Sequence, residues 1–214
     1  MANTHTYSRK EEMANAATHA VGVVLSLAAL TILIVFASIY GTFTHVISFI
    51  VFGVTMLLLY TNSTLLHMMP AGKVKDLFEI FDHASIYLFI AGTYTPIMLI
   101  VVPGAMGWVI FGVVWGLAVA GVVFKVFFVK RFLFISTILY ILLGWLAIVV
   151  IRPIMENMSS LGLVLLIAGG VCYTVGTIFY MWKLFPYHHA VWHVFVLAGS
   201  ACHFFMVLSI LQIF

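Results

Sequence analysis

The stretch from Met13 to Gly72, MANAATHAVGVVLSLAALTILIVFASIYGTFTHVISFIVFGVTMLLLYTNSTLLHMMPAG, holds no Lys, Arg, Asp or Glu in 60 residues. One helical crossing of a bilayer takes about 20 apolar residues. The run is too long for one crossing and suits two, with a turn at Tyr40-Gly41-Thr42. The rest of the chain repeats the pattern. His83 to Phe124 is an uncharged run of 42 residues that breaks at Pro103-Gly104. Three shorter runs follow, Phe132 to Ile151, Asn157 to Trp182 and Leu184 to Phe214. The count is seven spans, at approximately 16–39, 45–67, 80–101, 106–127, 132–151, 159–182 and 189–212. Barrel strands need only ~9–11 residues with alternating polarity. These runs are continuously apolar, so the expectation is an all-α integral membrane protein, a bundle in which each helix satisfies its own backbone in lipid.

Composition agrees. Of 214 residues, 65% are hydrophobic and 7% charged, where a soluble domain is about a quarter charged. The chain reads as one membrane domain, 1–214, with a short cytoplasmic segment 1–14 and no room for a separate soluble domain. Lys and Arg orient it. Arg9 and Lys10 precede the first span, Lys73 and Lys75 lie in the second loop, Lys125, Lys130 and Arg131 in the fourth, and Lys183 in the sixth. Those eight fall on one side and Arg152 alone on the other. The positive-inside rule places the N-terminus in the cytoplasm and the C-terminus outside. The net charge of +3 is thus an orientation feature, and no nucleic-acid partner is expected.

Smaller features fit this frame. The first apolar stretch is too long for a signal-peptide core and lies behind Lys10-Glu11-Glu12, so it reads as a retained helix. Cys172 and Cys202 fall mid-helix and read as buried free thiols. Lys73 to Phe81 (KVKDLFEIF) reads as an interfacial helical turn leading into the third span. Gly112-x-x-x-Gly116 has the spacing that permits close helix contact. Pro96 is expected to kink the third helix, with Thr93 and Thr95 bonding to freed backbone groups. His5 and His45 read as solvent or interface residues.

Against this background three polar clusters stand out: Ser63-x-x-x-His67, Asp82-His83 and His189-x-x-x-His193. Polar side chains inside a membrane are costly and tend to mark function. Ser63 and His67 close the second span and share a face. Asp82 opens the third span, and His189 and His193 open the seventh. All lie in one slab near the cytoplasmic boundary. Histidines at i and i+4 can grip one ion, and a third from another helix makes a three-histidine set with an open position, the pattern of a catalytic zinc. Asp82 would then hold a water or take its proton. Taken singly, each residue has a plainer account. His189 is then interfacial, His193 bonds a neighbouring helix, Asp82 is a helix N-terminal charge, and Ser63 bonds back to its own helix. The shared depth favours the metal. Glu12, Asn15 and His19 form one stripe, which lines the same vestibule or is merely solvated. His203 lies about 15 Å beyond His193 at 1.5 Å per residue, too far to ligate, and suits a hydrogen bond in a deep cavity. His83 is expected to point away from Asp82, and His188 away from His189.

The ordered set Glu11-Glu12-x-x-Asn15-x-x-Thr18-His19, Ser63-x-x-x-His67, Asp82-His83, Ala91-Gly92-Thr93-Tyr94-Thr95-Pro96 and His189-x-x-x-His193 with His203 resembles the hemolysin III family. Those are bacterial members of the progestin and adipoQ receptor group, and the likeness covers nearly the whole chain. The resemblance implies seven helices, an inside N-terminus and Zn2+ near the cytoplasmic face. It also implies His67, His189 and His193 as ligands, Asp82 reaching the metal through water, and Ser63 nearby. The wider group includes alkaline ceramidases, zinc amidases acting on lipids. The chain has no counterpart of the long N-terminal region of the animal receptors, so protein-hormone recognition is not carried over.

The expected function is that of a multi-pass cell-membrane protein that hydrolyses an amide or ester in a lipid-like substrate. Asp82 would be the base, and Ser63 would steady the oxyanion. The alternative is a regulator of membrane lipids with structural zinc. A cytolytic role fits poorly, because the chain is built to stay in its own membrane. Membrane lipids and a lipid-like small molecule are the expected partners, and no feature of the sequence sets an oligomeric state.

Overall fold

The computed structural model describes residues 7–183 and 185–212; His5 lies outside them. Among the described residues all regular structure is helical. The elements are α1 (Arg9–Tyr40), α2 (Phe43–Met68), α3 (Lys73–Pro96), α4 (Gly104–Phe128), α5 (Leu133–Gly144), α6 (Ile151–Asn157), α7 (Ser160–Met181) and α8 (His188–Ser209). A π-helical turn, Ile97–Val101, extends α3, and a 3-10 segment, Trp145–Val150, joins α5 to α6. Joined in this way they make seven helices long and apolar enough to cross a membrane. The fold is a seven-helix membrane bundle, and the expected breaks at Gly41 and at Pro103-Gly104 are present.

Interiors of the expected spans agree with these elements, while several ends differ. The first helix begins at Arg9, earlier than approximately residue 16, because Ser8 and Glu11 form a reciprocal capping box. The third begins at Lys73, so the interfacial turn is the first stretch of α3 itself. The fifth runs on past Arg152-Pro153 to Asn157, since Pro is tolerated in the first turn of the new helix α6.

The threonines beside Pro96 bond differently from expectation. A proline at 96 frees the carbonyl of Gly92, four residues back. Thr93 bonds instead to Phe89 O and Thr95 to Ala91 O, both at 2.9 Å. The helix answers the proline by widening into the π turn that follows it. In the fifth span a single phenol braces the start of the 3-10 segment. Tyr94 Oη lies 3.0 Å from Leu143 O and 2.8 Å from Gly144 O, and it accepts from Ala147 N at 2.6 Å.

Helix α3 is central, with 72% of its most apolar window buried against 17–44% for the other spans. It packs between α2 and α4, and α8 packs on both α7 and α1. The core runs through Leu33, Phe49, Phe52, Tyr60, Ile97 and Met206. Gly92 admits this closeness: a Cβ there would sit 2.0 Å from Thr55 Oγ1. Gly112 and Gly116 face open space within the chain, so their spacing serves no contact among the described residues. Lys125, counted above as a loop residue, lies within α4, fully buried, its ammonium 5.8 Å from the Tyr140 ring centroid. Cys172 and Cys202 are free and half-buried.

Candidate metal centre and its cavity

The i, i+4 spacing on the first turns of α8 aims His189 and His193 the same way, and the last turn of α2 brings His67 to meet them. One nitrogen from each of the three rings lies within 4.8 Å of the other two. Ring centroids are 5.1 Å apart for His67–His189, 5.2 Å for His67–His193 and 4.5 Å for His189–His193. His67 is 7% exposed, His189 9% and His193 1%.

For His67 and His193, hydrogen bonds on the far side of the ring fix which nitrogen is free. His67 Nδ1–H donates to Glu12 Oε2 at 2.7 Å. A carboxylate only accepts, so the proton sits on Nδ1 and Nε2 presents a bare lone pair. That Nε2 is buried without a partner, as is Nδ1 of His189. His193 Nδ1–H donates to the Asn15 carbonyl at 3.1 Å and lies 3.0 Å from Thr18 Oγ1, which leaves its Nε2 outward as well. Carboxylate and carbonyl acceptors behind imidazoles are the usual support of metal-ligating histidines. Buried lone pairs without donors are costly, and a cation at their centre satisfies them. The residues therefore fit a metal ion.

Glu12 also accepts from Lys75 Nζ at 2.7 Å, tying α1 to α3 beside the site. Glu11 accepts from the backbone N–H of Tyr187 at 3.2 Å. Tyr187 adopts the left-handed region, φ 61, as the residue that opens α8. Charge from the first turn of α1 thus holds the strained start of the helix that carries two of the histidines.

Sequence-expected residues fall as follows. Ser63 is buried and lines the same cavity as the trio. Asp82 lines it too, 3.7 Å from His83 Nδ1, outside the group of donors that meet. His83, expected to point elsewhere, also lines the cavity: its Nδ1 bonds Glu79 O at 2.8 Å and its Nε2 lies 3.3 Å from Tyr180 Oη. The cavity wraps widely enough around α3 to meet two adjacent residues. His188 turns away, bonding Phe179 O at 3.0 Å. The stripe Glu12, Asn15, His19 faces inward, with His19 stacked on His193 at 3.4 Å between centroids. His45 instead caps α2, its Nδ1 accepting from Thr42 N at 3.2 Å.

Tyr7 was not legible as a site residue. Its ring lies 5.1 Å from that of His189 and 6.2 Å from that of His67. Burial, then the neighbouring Tyr180 and Glu12, raise its phenol well above the ordinary tyrosine range, so it stays protonated beside the trio. From this polar mouth a cavity of about 220 Å3 runs between α3, α5, α7 and α8 as far as His203. Its walls are mostly apolar, among them Phe89, Ile90, Ile97, Trp145 and Val196.

A multi-pass membrane protein with three buried imidazoles able to hold a metal ion at one end of an apolar cavity is the class that fold and site define. Residues 7–204 match the family model described as Haemolysin-III related. Over 202 residues the chain is 53% identical to the hemolysin-3 homolog of Bacillus subtilis, covering 94% of this chain and 95% of that protein. It is 54% identical over 199 residues to hemolysin-3 of Bacillus cereus, covering 93% and 91%. The human monocyte to macrophage differentiation factor is 26% identical over 163 residues, covering 73% and 67%. No solved structure gives a significant match. The chain belongs to the hemolysin III family.

Proposed function

We propose that the protein is a zinc-dependent membrane hydrolase that cleaves an amide or ester bond in a lipid-like substrate at the cytoplasmic side of the cell membrane. One observation carries the reading: three buried imidazoles, each with a nitrogen within 4.8 Å of the other two, stand at the polar end of an apolar cavity. His67, His189 and His193 would hold the ion, and all-imidazole ligation favours zinc. Zinc in such a site supplies Lewis acidity toward a carbonyl and lowers the pKa of water.

The chain's own groups divide the remaining work. Glu12 and the Asn15 carbonyl orient two of the rings. Asp82 is the proton acceptor, placed in the cavity wall. Ser63, in the cavity wall beside the trio, would donate to an oxygen that gains charge. Apolar side chains hold the acyl chain and exclude water.

Metal analysis of the wild type beside His67→Ala, His189→Ala and His193→Ala tests the ligand set, with loss of near-stoichiometric zinc expected in each variant. Release of free fatty acid from a panel of ceramides and acyl amides tests the chemistry. No turnover across the panel, or equal turnover in Asp82→Ala, removes the enzyme.

A second reading, a lipid-responsive regulator with structural zinc, draws on Asp82 standing outside the donors that meet. Asp82→Asn separates the two. Under regulation both metal and the cellular effect survive the substitution, whereas under catalysis the metal stays and turnover goes.

A further inference from the structure

The cavity has a second polar end, which the metal reading does not use. His203 lines it, 7% exposed, about 15 Å along α8 from His193 at 1.5 Å per residue. Its Nε2–H donates to the Leu166 carbonyl at 3.2 Å. The proton is therefore on Nε2, and Nδ1 is a pure acceptor. That Nδ1 is buried and has no partner.

The surroundings are built around this ring. Tyr173, also in the cavity wall, lies edge-on to it at 5.3 Å between centroids. Its hydroxyl is 3.0 Å from Ser200 Oγ, and that oxygen accepts from Tyr60 Oη at 2.6 Å. Two glycines on facing helices make the space. A Cβ on Gly169 would sit 2.3 Å from His203 Cδ2, and one on Gly199 would sit 2.7 Å from the Tyr173 ring. Groups of this polarity inside a bilayer mark a functional site.

We propose that this end is a binding subsite for a hydroxyl carried far along the acyl chain of a lipid ligand whose polar head lies at the histidine trio. The proposal rests on the lipid-ligand reading above and narrows it. A plain alkyl chain leaves Nδ1 unsatisfied. A keto group offers only an acceptor, which cannot pair with another acceptor. A hydroxyl donates to Nδ1 and can accept in turn from a neighbouring phenol.

The test uses full-length protein with its metal in lipid nanodiscs and displacement of a fluorescent fatty acid. The competitors are stearic acid, monohydroxystearic acids with the hydroxyl stepped along the chain, and the matching ketostearic acids. Hydroxyls at a narrow set of positions in the distal half should bind about tenfold more tightly than stearic acid, the scale of one well-made buried hydrogen bond. The keto acids should gain nothing. In His203→Phe the advantage of the hydroxy acids over stearic acid should vanish. A flat positional series, keto acids equal to hydroxy acids, no displacement by any of them, or an advantage that survives in His203→Phe would each overturn the proposal. Should His203→Phe not fold, the wild-type comparison of hydroxy with keto acids decides alone. Zinc content is read separately. Full zinc with a flat series sinks only the subsite, and positional selectivity without zinc sinks only the metal reading.

Discussion

Glu12 ties the site together from behind, joining His67 through one carboxylate oxygen and Lys75 through the other. Glu12→Gln keeps the shape but weakens the acceptor behind the ring. Loss of such support typically lowers metal affinity about 10–100-fold, and chelator competition on purified protein should show a fall of that size. Unchanged affinity would mean that His67 is oriented by packing alone. Tyr7 gives a pH-dependent counterpart. Its folded phenol titrates above the ordinary value of about 10, so the folded state binds that proton more tightly than the unfolded chain. The stabilisation is complete below about pH 10 and is lost as pH rises toward the folded value. The melting temperature of wild type should therefore fall more steeply above pH 10 than that of Tyr7→Phe. At this scale legibility followed spacing. His189 and His193 were readable because four residues is one helical turn, and His67 because its depth matched theirs. Glu12 was visible only as part of a stripe. Nothing local marks Tyr7, whose place over the imidazoles depends on how α1 meets α2 and α8.

Among the elements, hydropathy located every crossing but not the ends, because polar residues at Arg9–Glu12 and Lys73–Glu79 are as compatible with a helix emerging from the bilayer as with a loop. The break in the fifth span was hidden for a different reason. The sequence around Trp145–Val150 is apolar throughout, and what sustains the irregular backbone is Tyr94, some fifty residues away. Tyr94→Phe removes the hydroxyl that contacts the Leu143 and Gly144 carbonyls and the Ala147 N–H inside the bundle. Each hydrogen bond lost costs about 0.5–1.5 kcal/mol, so the melting temperature in detergent should drop by a few degrees while zinc content stays level. Glycines make a sharper contrast. Gly92→Ala drives a Cβ against Thr55, an overpacking that typically costs about 1–3 kcal/mol. Gly112→Ala meets nothing within 4 Å and should be neutral or slightly stabilising. Equal melting temperatures for the two variants would show that α2 and α3 are not pressed together there.

For the whole molecule, the histidine trio lies at the end of the bundle where the α2–α3 and α7–α8 connections fall, and its cellular side depends on topology. Eight of the nine Lys and Arg residues belong to that end. Lys125 is buried within α4 and faces no lipid headgroup, so seven act at the interface against Arg152 alone. The bias remains seven to one, and by the positive-inside rule the expectation is that the trio lies beneath the cytoplasmic surface. Thr42 and Ala71 are exposed at opposite ends of α2 and report on the two sides. With Cys172 and Cys202 first replaced by alanine, a membrane-impermeant maleimide on intact cells should label Thr42→Cys and spare Ala71→Cys. Ala71→Cys should react only once the membrane is opened. The opposite pattern would put the metal-holding end outside, reverse the assignment of both termini, and require a substrate drawn from the outer leaflet.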